Sequence, residues 1–234
     1  MQLSQALKLM PLADWLALGW FVVVWVGYAM FARHRAESAG SLLATTNHYR
    51  RQWMMQTTIR DNRVVDGVVV QNLSTSPSFF ASTTILIIGG LLALLGTTDK
   101  ASELVREIPF AARTSAFVFD AKLIVLLAIF IYAFFRFTWS MRQYTFGALL
   151  IASMPDAKTF QAGEAEREAY AERAGTLVGL AAETFNDGLR AYYMSFATIL
   201  WFISPLAFAL GAAGVVYLLY QREFHSEMLD ALRS

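Results

Sequence analysis

Residues 67–98 read GVVVQNLSTSPSFFASTTILIIGGLLALLGTT and contain no Asp, Glu, Lys or Arg. A helix that spans a bilayer needs about 20 consecutive apolar residues, and the second half of this run supplies them. Two further charge-free gaps lie between Asp14 and Arg33 and between Arg190 and Arg222. A fourth run, LIVLLAIFIYAFF at 123–135, is shorter but almost purely aliphatic and aromatic. Extended from Phe117 to Trp139, it carries Lys122 and Arg136 near its ends, where long basic side chains can snorkel to headgroups. The reading is an all-α integral membrane protein, one domain over 1–234. Its transmembrane helices fall at about 14–33, 77–97, 117–139 and 192–220.

Composition agrees. Of 234 residues, 56% are hydrophobic and 16% charged, against about 45–50% and about 25% in soluble domains. A net charge of +1 argues against a nucleic-acid partner, which needs a concentrated basic surface. The absence of cysteine excludes disulfides, thiolate zinc sites, iron–sulfur clusters and cysteine nucleophiles.

Twelve of the nineteen basic residues fall in two segments, 34–76 with its flanking Arg33 and 140–191 with its flanking Arg136. Basic residues favour the cytoplasmic side. Both segments are therefore expected inside, with both termini and the 98–116 loop on the periplasmic side. Lys8 precedes the first apolar run, but Arg33, His34 and Arg35 follow it, and bulky Met30 stands where a cleavage site needs a small residue. The first helix is read as retained rather than as a signal peptide.

The inner segments read as helical. Around Arg50-Arg51 and Trp53-Met54-Met55, two readings stay open: a strip in the membrane interface facing anionic lipid, or a helix packed on a partner helix. Ser76 and Pro77 suit the cap and first position of the second span. Gly89 with Ala93, and Ala207 with Gly211, are small pairs that let helices approach. Pro205 is expected to kink the last helix one turn earlier. The third helix is expected to continue past the bilayer to about Met154, where Pro155 stops it. Beyond it, Glu164, Glu166, Arg167, Glu168, Glu172 and Arg173 give the pattern of an exposed helix. Leu177, Leu180, Ala181, Thr184 and Leu189 suggest its packed face.

Four phrases carry a resemblance: PSFFASTTILIIGGLLALLG at 77–96, FFRFTWSMRQYTFGALLIASMP at 134–155, AAETFNDGLRAYYMSFATILWFISP at 181–205 and REFHSEMLDAL at 222–232. Together they resemble a bacterial membrane family catalogued as domain of unknown function 599. The resemblance implies an integral membrane protein of about this length with several spanning helices, and it supplies no activity and no site residues; the protein is read as lying in the bacterial inner membrane.

No dinucleotide, Walker, HExxH or GxSxG motif is present. His34, His48 and His225 lie in three separate segments, which argues against a histidine metal or haem site. No cofactor and no enzymatic activity are expected. The suggestive polar sets precede two spans: Arg60, Asp61, Arg63, Asp66 and Asn72, then Glu183, Asn186, Asp187 and Arg190. They suit either helix pairing or a vestibule for an ion or polar solute. Ser82, Thr83 and Thr84 are candidate pore-lining residues. The function expected is an oligomeric channel or transporter, with a pore between copies of the chain. The alternative is an accessory or scaffold subunit of a larger membrane complex. Membrane lipid is the common partner of both.

Overall fold

The computed structural model describes residues 10–36, 41–97, 115–163 and 165–233. The expected positions of Lys8, Glu164 and most of the 98–116 loop lie outside these residues. The described chain forms eight helices: α1 (Leu12–Ala36), α2 (Leu42–Thr57), α3 (Val64–Leu95), α4 (Ala116–Ala152), α5 (Ala157–Gln161), α6 (Arg167–Leu200), α7 (Pro205–Phe224) and α8 (Glu227–Arg233). Three of them, α1, α3 and α4, are long and apolar enough to cross a membrane. At 1.5 Å per residue α4 is about 55 Å long and α3 about 48 Å, both longer than a hydrocarbon core of about 30 Å.

Two boundaries differ from the sequence reading. The second long helix begins at Val64 rather than at Pro77, which lies inside it. Val70 is buried and Leu73 packs against the same apolar cluster. Burial there holds the turns that precede the proline, a break that membrane helices tolerate. The third helix does run without interruption to Ala152, just before Pro155.

The expected fourth span, 192–220, is not one helix. It is divided at Trp201–Ser204 between α6 and α7. Pro205 cannot donate to the preceding turn and disfavours helical backbone at Ser204. It instead opens a new helix, whose start is capped by the Ser204 hydroxyl accepting from the Ala207 N–H at 3.0 Å.

The chain divides into two compact units. The first contains residues 1–34, 84–133 and 189–222. Within it, contacts between α1 and α7 rise together in number: Trp20 donates to the Ala209 carbonyl, Phe21 meets Phe208 and Phe31 meets Tyr220. These two helices run parallel. The end of α6 runs against them, since Asp14 meets Trp201 while Tyr28 meets Arg190. α7 therefore folds back along α6. At Gly211 they approach closely: a Cβ there would lie 2.6 Å from Leu200 Cδ1. At Gly89, by contrast, an added Cβ would meet nothing within 4 Å, so that small pair makes no close contact among the described residues. An apolar cluster of Leu91, Phe119, Leu123, Leu126 and Phe130 completes this unit.

The second unit contains residues 35–83, 134–188 and 223–234. Its core gathers Met54, Val70, Tyr144, Ile151, Phe160 and Val178. Trp53 and Met55 pack against that core, so α2 packs on partner helices here. The buried face of α6 is Ala171, Ala174, Val178 and Ala181, while Leu180 is exposed. Small residues win this face because α2 approaches closely. A Cβ on Gly175 would lie 3.0 Å from Arg51 Cγ, and one on Gly179 3.1 Å from Asn47 Oδ1. The C-terminal helix joins this unit, with the Tyr49 hydroxyl donating to the Leu232 carbonyl at 2.9 Å. Residues 223–234 pack with the segments expected inside, because α7 reverses the chain once more.

Candidate functional site

The described helices bury several charges, and each has a specific partner. Asp14, in the first turn of α1, Lys122 of α4 and Trp201, just past α6, form one cluster. All three are 3% exposed or less. The Trp201 indole N–H donates to Asp14 Oδ1 at 2.6 Å, and Lys122 Nζ donates to the Trp201 carbonyl at 2.9 Å. Lys122 Nζ is 3.5 Å from Asp14 Oδ1, and Trp201 stacks on Phe208 with ring centroids 4.6 Å apart. The ammonium thus neutralises the carboxylate and also satisfies a carbonyl left free where α6 ends. Lys122 was expected to snorkel outward. It is buried instead, because the break after Leu200 presents an acceptor inside the unit.

The set before α3 closes on itself. Asp66 is fully buried. Its Oδ1 accepts from Arg60 at 2.6 Å, from the Trp53 indole at 2.7 Å and from the Thr57 hydroxyl at 3.1 Å. Its Oδ2 is buried and accepts no hydrogen bond from the described residues. Arg63 donates to the carbonyls of Thr57, Met154 and Pro155, so it ties the end of α2 to the end of α4. Asp61 and Asn72 are exposed. Nearby, burial pulls the Arg50 guanidinium below its ordinary pKa, with Tyr144 acting against this shift; its partners are Thr46 Oγ1 and Asn47 Oδ1.

The set before the last apolar run has other partners. Asp187 is paired with Arg136 at 2.5 Å, a residue also expected to snorkel. Arg190 is buried and lies over the Tyr28 ring, 5.7 Å from its centroid. Glu183 and Asn186 are half-buried. Val70 and Ala181 do share one buried cluster. The charges of the two stretches nonetheless pair elsewhere: Asp66 with Arg60, and Asp187 with Arg136.

The three candidate lining hydroxyls also differ. Ser82 and Thr83 donate to the carbonyls of Ser78 and Phe79 on their own helix. Thr84 is buried and hydrogen-bonded to the Tyr192 hydroxyl at 2.8 Å. Among the described residues no group of three His, Asp or Glu side chains is placed to hold a metal ion.

A family model described as a protein of unknown function, DUF599, matches residues 16–228. The chain belongs to the DUF599 family. No curated protein and no solved structure matches it. In this DUF599 chain the Asp14–Lys122–Trp201 cluster is the feature that sequence reasoning missed. Its members are 79 to 187 positions apart, and no spacing rule connects them. The one local signal was a lysine inside an apolar helix, where ionisable residues face partners rather than lipid.

Proposed function

We propose that this protein is an oligomeric membrane channel or transporter for a small ion or polar solute. The observation that carries the reading is the buried side of α6. Thr184, Asp187, Arg190, Ser195 and Thr198 are all 6% exposed or less, on a helix that meets the long apolar helices α3 and α4 through Tyr192 and Asp187. A purely structural contact does not need these groups, since apolar residues of similar volume stabilise such a position as well or better. Polar and ionisable residues buried among membrane helices mark solute and ion pathways. On this reading the pathway runs inside each chain along these α6 groups, and the chains associate as an oligomer.

The test is flux in liposomes containing the purified protein, with protons, monovalent cations, chloride and small polyols as probes. Flux above that of protein-free liposomes, altered by Ser195→Ala with Thr198→Val in folded protein, supports the proposal. Flux equal to the protein-free control for every probe overturns it.

A second reading, an accessory subunit of a larger membrane complex, draws on a different surface. Val64, Val65, Val68 and Val69 at the start of α3 are all exposed, on a helix longer than a bilayer requires. Substituting these valines with serine would release a co-purifying partner on this reading and leave flux unchanged.

A further inference from the structure

Between α1 and α7 the first unit has an open apolar groove of about 520 Å³. The two helices touch at its ends. At one end the Trp20 indole N–H donates to the Ala209 carbonyl at 3.2 Å, and at the other the Phe31 and Tyr220 rings lie 6.1 Å apart. Between these ends Gly27, Val216 and Tyr217 line the trough. Gly27 leaves it open, since a Cβ added there would meet nothing within 4 Å. From Trp20 to Phe31 the helix rises about 16 Å, the depth of one leaflet of a hydrocarbon core about 30 Å thick.

The two ends of the groove differ in charge. Arg33 and His34 follow Phe31 on α1, and Arg222 follows Tyr220 on α7, where its Nη1 donates to the Tyr193 hydroxyl and the other guanidinium N–H groups remain to donate; all three residues are exposed. The other end, near Trp20, has no charged residue on α1 between Asp14 and Arg33 and none on α7 before Arg222. A trough one leaflet deep, apolar along its length and cationic at one mouth, matches a lipid with an acyl chain and an anionic headgroup. Tyr217 and Tyr220 stand near that mouth, where aromatic rings favour the headgroup level.

We propose that the α1–α7 groove holds one acyl chain of an anionic phospholipid, whose phosphate is met by Arg33 and Arg222. This goes beyond the transport reading and does not depend on it. Phosphate recognition by arginine is charge-assisted and directional. A zwitterionic lipid with the same chains fits the trough equally but gains less at the mouth.

The full chain, purified in detergent, is titrated with phosphatidylglycerol and, separately, with phosphatidylcholine of identical chains. Binding is read by native mass spectrometry. The expected result is one tightly held phosphatidylglycerol per chain. Arg33→Gln and Arg222→Gln should each weaken it about fivefold, the effect of one basic residue near a lipid surface, and weaken phosphatidylcholine less. Gly27→Phe should fill the trough and abolish retention. Ala213→Phe is the second filling variant should the first fail to fold. Equal binding of the two lipids, or wild-type retention in a folded filling variant, overturns the proposal. So does a dimer that a filling variant converts to monomer with no lipid lost, which would assign the groove to a second copy of the chain.

Discussion

The indole N–H of Trp201 donates to Asp14 Oδ1 at 2.6 Å, joining the end of α6 to the start of α1 across 187 positions. The same carboxylate lies 3.5 Å from Lys122 Nζ. Removing one member of a buried pair leaves the other charge uncompensated and costs about 3–5 kcal/mol. Lys122→Met should therefore lower the unfolding free energy in detergent by that order. The double variant Lys122→Met with Asp14→Leu should recover most of the loss, because both charges are then gone. A double variant as unstable as the sum of its singles would refute this account of the pair.

Glycine substitutions should separate by site. A Cβ on Gly188 would lie 2.5 Å from Phe137 Cε1. Phe137 is fully buried beside Phe80 and Phe185 and has no room to move aside. Gly188→Ala should cost about 1–3 kcal/mol by overpacking. Gly89→Ala meets nothing and should be neutral or stabilising by up to about 1 kcal/mol. Thermal unfolding of the two variants decides it, and equal melting temperatures would contradict the packing described.

Asp66 and Asp187 should differ in the same sense. Asp66→Ala removes the acceptor of Trp53, Thr57 and Arg60 at a fully buried position, at about 1–3 kcal/mol for each buried donor left unsatisfied. Asp187→Ala strands Arg136, which is 26% exposed rather than fully buried, so its cost should be smaller. Denaturant titration of both variants measures the difference, and a more damaging Asp187→Ala would reverse the ranking.

The reversal at Trp201–Ser204 has a topological consequence. Since α7 runs parallel to α1, the ends of these two helices should emerge on the same membrane face. The chain has no cysteine, so single cysteines at His34, Thr97 and Glu227 report cleanly. His34 and Glu227 should label together, and Thr97 from the other side. If Arg222 and Arg233 join the twelve basic residues expected inside, the count there rises to fourteen of nineteen, and that face is expected to be the cytoplasmic one. Labelling of Glu227 together with Thr97 would refute the reversal.

The charge-free runs by themselves determined that the chain is helical and apolar enough for a membrane. Transfer of apolar side chains out of water is a sum over neighbours in sequence, so α1, α3 and α4 are legible residue by residue. Pro155 marked the end of α4 for the same local reason. Pro205 marked a disturbance, but whether the chain kinked or turned back depended on what α7 met. Tertiary packing decided that. Gly211 admits Leu200, and Phe208 offers Trp201 a face on which to stack. Partner choice among the charges was equally beyond sequence. Asp14, Lys122, Asp66, Arg136 and Asp187 are each compatible with several opposite charges or with solvent. A buried charge must take whichever partner the packed helices bring within a few ångströms, and that distance exists only once the helices have packed.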